Sequence, residues 1–273
     1  MPMADGGDGL AVRVLGASAC TPEKGANTAS FLVDGRVLID TGWYLTDRLR
    51  GADVDPLDVE AVLLTHCHHD HILGLPQLVF YYGISWDRRP KRPLHIYGPA
   101  GQVGRVAEDA QRYLQFDRYK ELNFDIEVHE VHGGDALEVA GLRVRTCEGR
   151  HSVPALCYRV ENAGGSSVVF SGDTAWNPGL IELSAGAGLL VHEASYGAKS
   201  VREDEEWGHS GAPDAAEVAR RAGVGRLALV HCGESARPAA LAAARAIFPE
   251  AFLPKEGEVV VAAPGSHQGR TGR

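Results

Sequence analysis

The sequence predicts an α/β protein in which two β-sheets stack as a sandwich with helices on the outside. Three observations predict it. Short apolar runs of strand length recur from Leu10 to Ala262. They fall into two halves, each rich in strands first and in helices afterwards, as a layered domain is laid out. Clusters of histidine and aspartate stand at the ends of these runs, where such a sandwich builds a site along one edge.

The elements follow in order. Leu10 to Leu15 reads as a strand that enters a loop over residues 16–29, punctuated by Pro22 and Gly25. Residues 30–33 and 37–39 form a hairpin about Asp34-Gly35, a strong turn signal between apolar runs. The hairpin ends in Asp40-Thr41-Gly42, and Trp43 to Arg50 is a short helix. Ala61 to Leu64 is a buried strand, followed after the polar cluster by a core helix over His71 to Gly83, with Pro76 in its opening turns. Residues 87–93, D-R-R-P-K-R-P, concentrate positive charge, either as a solvated loop or as a rim that steers an anion. Leu94 to Tyr97 is a strand, and a helix reaches about Asp117. Phe124 to Val131 alternates as a strand, so His129 and His132 read as surface residues.

The second half repeats the plan. Residues 137–139 and 142–146 make a hairpin that leads to His151, and Ala155 to Val160 is the next strand. Ser167 to Phe170 ends in Ser171-Gly172-Asp173, and Asn177 to Ser184 is a helix. Leu189 to Val191 ends in His192-Glu193-Ala194-Ser195. After an acidic loop over residues 202–206 come Trp207-Gly208-His209-Ser210, a helix from Pro213 to Ala222, and a strand from Leu227 to Val230 that ends in His231. A helix from Pro238 to Phe248 and a strand from Val259 to Ala262 close the domain. Residues 10–262 are therefore expected to form one domain, with unstructured ends at residues 1–9 and 263–273.

The densest chemistry lies in T-H-C-H-H-D-H, residues 65–71. Imidazole and carboxylate together are ligands for zinc, iron or manganese. In an extended segment residues i and i+2 share a face, so His66 and His68 can grip one ion. Asp70 and His71, just past the turn, point to a neighbouring one. Singly each histidine reads as a solvated turn residue; four ligand-type residues capping a buried strand do not. Cys67 alternates away from His66 and His68 and reads as packing.

Composition excludes several classes. The chain has 273 residues, 44% hydrophobic and 23% charged, with a net charge of −9. Such a field repels phosphate backbones, so nucleic acid is not the default partner. A small anion held by metal ions remains compatible, because a local dication outweighs diffuse surface charge. Five cysteines without a C-x-x-C pair read as reduced thiols of a cytoplasmic protein. The N-terminus lacks the basic and apolar regions of a signal peptide, and no apolar run is long enough to span a membrane.

The motif H-x-H-x-D-H at residues 66–71 resembles the signature of the metallo-β-lactamase superfamily. That resemblance covers about Leu10 to Ala262 and implies an αββα sandwich of two mixed β-sheets. It implies two further histidines and a second aspartate, which His151, Asp173 and His231 supply in order. By resemblance, His66, His68 and His151 hold one divalent ion, Asp70, His71 and His231 the other, and Asp173 bridges them. Zinc is the expected ion, with manganese or iron as alternatives. Asp40 then becomes a partner for a metal-binding histidine. The implied reaction is hydrolysis by a metal-bridging hydroxide, with Asp70 orienting the water or taking its proton.

His192–Ser195 and His209–Gly211 resemble two motifs of the ribonuclease Z-like branch. Carried over, His209 is the proton donor or phosphate binder and Glu193 its partner; His192 is packed at a strand end. True ribonuclease Z enzymes carry a tRNA-clamping arm between the third metal histidine and the bridging aspartate. Here His151 and Asp173 are joined by little more than a hairpin. The expectation is a phosphodiesterase for a small anionic substrate such as a cyclic nucleotide, with no tRNA and no membrane as partner. A homodimer is common in the family. The alternative is a lactonase or thioesterase on the same fold. Quorum-signal lactonases place a tyrosine where Trp176 stands, and too little chain follows His231 for the helical domain of glyoxalase II-type thioesterases.

Overall fold

The computed structural model describes residues 9–202 and 207–264. Its strands form two seven-stranded sheets packed face to face, with helices on both outer faces. The first sheet takes β1 (Leu10–Gly16), β2 (Ser30–Val33), β3 (Val37–Ile39), β4 (Ala61–Leu63), β5 (Leu94–Pro99) and β6 (Ile126–Val131) in sequence order. The last strand of the chain, residues Val259–Ala262, joins it antiparallel beside β1. The second sheet runs through β7 (Ala136–Val139), β8 (Leu142–Glu148), β9 (Leu156–Glu161), β10 (Ser167–Phe170), β11 (Leu189–Glu193), β12 (Arg226–Val230) and β13 (Ala251–Phe252), with β14 being Val259–Ala262 of the first. Both sheets are mixed. β3 to β6 are parallel and β10 to β13 are parallel, whereas the remaining pairs are antiparallel.

Alternation along each strand decides which layer a side chain enters. Ala61 and Leu63 of β4 turn inward to meet Phe170, Val191 and Val230 between the sheets. Val62 and Leu64 turn outward, onto Leu78, Val79 and Tyr82 of a helix. On the far side, Val169, Leu190 and Leu229 pack under alanines 215, 216 and 219 of the helix Ala212–Ala222.

The helix expected over His71 to Gly83 is instead two, α2 (His69–Ile72) and α3 (Leu75–Ile84), after α1 (Leu45–Gly51). Pro76 has no N–H for the Ile72 carbonyl, so the ladder cannot pass through it. Gly74 at the joint lies against the Asp40 loop, so closely that a Cβ there would stand 2.4 Å from the Thr41 carbonyl oxygen. The break lets the Thr41 N–H and hydroxyl both donate to the His71 carbonyl, at 2.8 and 2.9 Å.

The helix after β5 is α4 (Val103–Tyr113) and stops short of Asp117. The two-residue β13 is too short to show a periodicity and was not expected. The basic loop is held by local contacts. Arg88 pairs with Asp55 at 3.1 Å, Arg89 donates to the Asn123 carbonyl at 2.8 Å, and Arg92 donates to the Val59 carbonyl at 3.2 Å. These guanidiniums tie the loop to the turns before β4 and β6, which favours the solvated-loop reading.

The acidic loop expected over residues 202–206 lies outside the described residues except for Arg202, as do the expected unstructured ends except for Gly9, Ala263 and Pro264. Pro264 pairs with Ser166 in an isolated bridge, so ordered chain extends past residue 262. No helix among the described residues is long and apolar enough to cross a membrane.

Candidate active site

β4, β8, β10, β11 and β12 all deliver their C-terminal ends to one edge of the sandwich. There the sheets touch, because the Leu156 N–H donates to the Thr65 carbonyl at 2.8 Å. Asp40, after β3, organises the first side. It adopts a left-handed φ of 54°, a conformation that aspartate tolerates better than most residues. Its Oδ1 accepts the Thr65 N–H at 2.7 Å, and its Oδ2 accepts the Thr65 hydroxyl at 2.8 Å. Oδ2 also lies 2.7 Å from His71 Nδ1.

These bonds set two tautomers. A carboxylate only accepts, so His71 Nδ1 donates to it. The Thr65 hydroxyl has spent its proton on Asp40, so at 3.1 Å it accepts from His66 Nδ1. Both Nε2 atoms therefore point inward, and both are buried with no hydrogen-bond partner. Two orphaned imidazole nitrogens in one buried spot call for a cation.

The second sheet supplies the facing groups. His151 Nδ1 donates to the Gly208 carbonyl at 2.8 Å, leaving Nε2 3.1 Å from His68 Nδ1. Gly208 sits at a φ of 68° and leaves no room for a Cβ, which would meet His151 Cα at 2.6 Å. Asp173, after β10, is central: its Oδ2 lies 3.4 Å from His231 Nε2, 3.6 Å from His71 Nε2 and 3.8 Å from His66 Nε2. His231 Nε2 also lies 3.0 Å from Asp70 Oδ2, and His231 Nδ1 meets the Ser195 hydroxyl at 2.9 Å. The donors fall into two sets, His66/His68/His151 and Asp70/His71/Asp173/His231, each with its ligand atoms within 4.8 Å of one another. All seven residues singled out from the sequence converge.

The electrostatics ask for positive charge. Burial opposes ionisation of Asp173, yet His231 and His71 beside it hold its pKa well below the usual carboxylate range. Burial likewise opposes a charged Asp70, but the hydrogen bond from His231 at 3.0 Å and the neighbouring His71 imidazole at 3.3 Å hold it low. Burial would depress His231, whereas Asp173 and Asp70 outweigh it and push the imidazole up to about 9. His66, with burial and the neighbouring His71 both acting against a proton, falls well below its ordinary value. Nitrogen and oxygen donors that remain unprotonated or exchange a proton for a cation fit a divalent transition metal.

Next to these donors stands a second arrangement. Glu193, at the end of β11, is 1% exposed. Its Oε1 accepts the N–H groups of Thr174 at 3.0 Å and Ser210 at 3.1 Å, and its Oε2 accepts that of Ser195 at 3.0 Å. Oε1 also holds His209 Nδ1 at 2.9 Å. The His209 ring lies 4.9 Å from that of His151 and 5.8 Å from that of His231. Burial lowers its pKa, but the hydrogen bond and charge of Glu193 outweigh burial, so the net shift is upward. His192 turns away, its Nδ1 donating to the Glu193 carbonyl at 2.8 Å.

Sequence reasoning gave no role to Ser195 or Thr65. Ser195 Oγ touches both His231 Nδ1 and, at 3.3 Å, His209 Nδ1, and so links the two arrangements. Its place two residues after Glu193 was the available signal.

Residues 35–232 match the beta-lactamase superfamily domain. The chain is 32% identical over 292 residues to the ribonuclease Z of Methanothermobacter thermautotrophicus, covering 88% of this chain and 92% of that one. Among solved structures it resembles the metallo-beta-lactamase fold protein YhfI from Bacillus subtilis, with a TM-score of 0.78 at 23% identity over 93% of this chain and 99% of that one. It also resembles the short form of human tRNase Z, with a TM-score of 0.75 at 22% identity over 92% and 99% of the two chains. A match over that share of the sequence decides its kinship: the chain belongs to the metallo-β-lactamase superfamily of metal-dependent hydrolases.

Proposed function

We propose that this protein is a dinuclear metal-dependent phosphodiesterase acting on a small phosphodiester or cyclic nucleotide. Zinc is the proposed ion, with manganese or iron as the alternatives. The observation that carries the reading is the buried Glu193 holding His209 beside the seven donors. His66, His68 and His151 would hold one ion, Asp70, His71 and His231 the other, and Asp173 would serve both. Ions there would supply an activated water and positive charge for the phosphoryl oxygens.

The chain's own groups do the rest. Asp70 stays ionised across the working pH range and orients the attacking water by accepting its hydrogen bond. His209 keeps its Nδ1 proton toward Glu193 and gives its Nε2 proton to the leaving oxygen, so the departing alkoxide is neutralised as it forms. Glu193 holds the ring in place and favours its protonated form.

The carboxyl-ester alternative is weakened at its tyrosine position, which Trp176 occupies here. Trp176 packs with the second sheet's outer core, its ring covered by the guanidiniums of Arg202 at 3.8 Å and Arg221 at 5.3 Å. It offers no phenolic hydroxyl at that position. All five cysteines are unpaired, which supports a reducing, cytoplasmic setting.

Desalted protein is expected to carry two equivalents of transition metal per chain, and His231→Ala chiefly one. Protein that saturates with none would remove the basis of the reading. The names of the relatives raise tRNA as substrate, but β9 and β10 join through a short turn around residues 162–166. Intact pre-tRNA is therefore expected to be cleaved far more slowly than bis-p-nitrophenyl phosphate or a cyclic nucleotide. Efficient release of a 3′ trailer at physiological salt would reverse the choice.

A further inference from the structure

The first sheet carries another convergence of imidazole and carboxylate, remote in register from the donors above. β5 and β6 run parallel, with His95 opposite Glu127 and Tyr97 opposite His129. Alternation places these four side chains on one face, while Leu94 and Ile96 point into the helical layer. His95 Nδ1 lies 3.1 Å from His129 Nε2 and 3.4 Å from Glu127 Oε2, and the last two atoms are 3.9 Å apart. Donors about 2.0–2.1 Å from a tetrahedral zinc stand about 3.3–3.4 Å from one another. The observed triangle brackets that spacing.

We propose that His95, Glu127 and His129 form a separate binding site for a divalent transition metal of the zinc, nickel or copper type. Two imidazole nitrogens and one carboxylate suit those ions rather than calcium or magnesium, which take oxygen ligands. The Tyr97 ring stacks on His129 at 4.3 Å and 13°, so packing fixes the imidazole plane before an ion arrives. Burial, and then the neighbouring His95, depress the His129 pKa, which keeps its lone pair free at neutral pH. The three side chains are 33%, 55% and 35% exposed, so an ion can enter and keep water in its remaining positions. The site shares no residue with the proposed catalytic pair. His95 is level with Ala61 at the start of β4, whereas His66 lies beyond the other end of that strand. An ion here would tie β5 to β6, the edge strand of its sheet.

The test starts from metal-loaded, desalted protein, so that the catalytic donors are filled. Equilibrium dialysis against free zinc from about 0.1 to about 100 µM is expected to add one equivalent, and loading to slow amide exchange in β6. His95→Ala and His129→Gln, each prepared separately, are expected to raise the dissociation constant of that equivalent at least about tenfold, and Glu127→Gln less. Hydrolysis by these variants should be unchanged. Metal content that stays at the desalted value over the whole range overturns the proposal. So does an extra equivalent that persists unweakened in both histidine variants.

Discussion

His209→Ala is expected to keep both catalytic metals and lose about 10²–10⁴-fold in phosphodiesterase kcat. The ring is tied to Glu193 Oε1 at 2.9 Å and to Ser195 Oγ at 3.3 Å, and neither contact holds the seven donors together. Removing it deletes the proton for the leaving oxygen while the metal donors remain. Glu193→Gln is expected to cost less, since one amide oxygen still serves the Thr174 and Ser210 N–H groups. It also predicts a direction in pH. A general acid works protonated, so activity falls as pH climbs through its pKa. Glu193 raises that pKa against the effect of burial, so its neutralisation moves the alkaline limb of kcat to lower pH. Full phosphodiester turnover in His209→Ala, with metal content retained, would defeat the assignment and restore the carboxyl-ester reading.

Asp40→Ala carries the second large effect, on folding and on metal binding together. Asp40 is 2% exposed and takes the Thr65 N–H, the Thr65 hydroxyl and His71 Nδ1. Its loss strands three buried donors, at about 1–3 kcal/mol each before relaxation. Alanine at a φ of 54° adds strain. A net loss of about 3–5 kcal/mol is expected in the apoprotein, read from denaturant midpoints. Asp40→Asn separates the two roles. Asparagine tolerates the backbone and keeps one acceptor, so most stability should return. The ring of His71 would still lose its charged anchor, and metal affinity is expected to fall about 10–100-fold in competition with a chelator. Native affinity in Asp40→Asn would show that Asp40 supports the loop and does not position His71.

The donors were legible because their chemistry is dense and because strand ends are visible as breaks in apolar runs. His66 to His71 stand in one hexapeptide, and His151, Asp173 and His231 each follow a readable strand. The two-sheet layout was legible for the same reason, through alternation such as that of β4. What escaped the reading depends on contacts distant in sequence. Thr65 matters because Asp40, 25 residues earlier, takes its hydroxyl proton. Pro76 reads in the sequence as lying inside one continuous helix, and the approach of Gly74 to Thr41 that breaks it belongs to the folded state. The charge of the 87–93 loop left open a solvated loop or a substrate rim, and its partners on Asp55, Asn123 and Val59 are visible only in the folded chain. His129 looked like a surface residue because its neighbour His95 lies on the preceding strand.

Each donor set draws on both sheets. His66 and His68 must wait for His151, and Asp70 must wait for His231, 161 residues later. At roughly 5–20 residues per second, about 8–32 s of synthesis separate those last two side chains. The first sheet's donors thus leave the ribosome long before their partners exist. A nascent chain can offer the ion only the partial set of residues 66–71, which binds more weakly than either completed set. Completion of either donor set is therefore expected late in synthesis, after the apolar residues and the strand pairings of β2 to β4 have emerged.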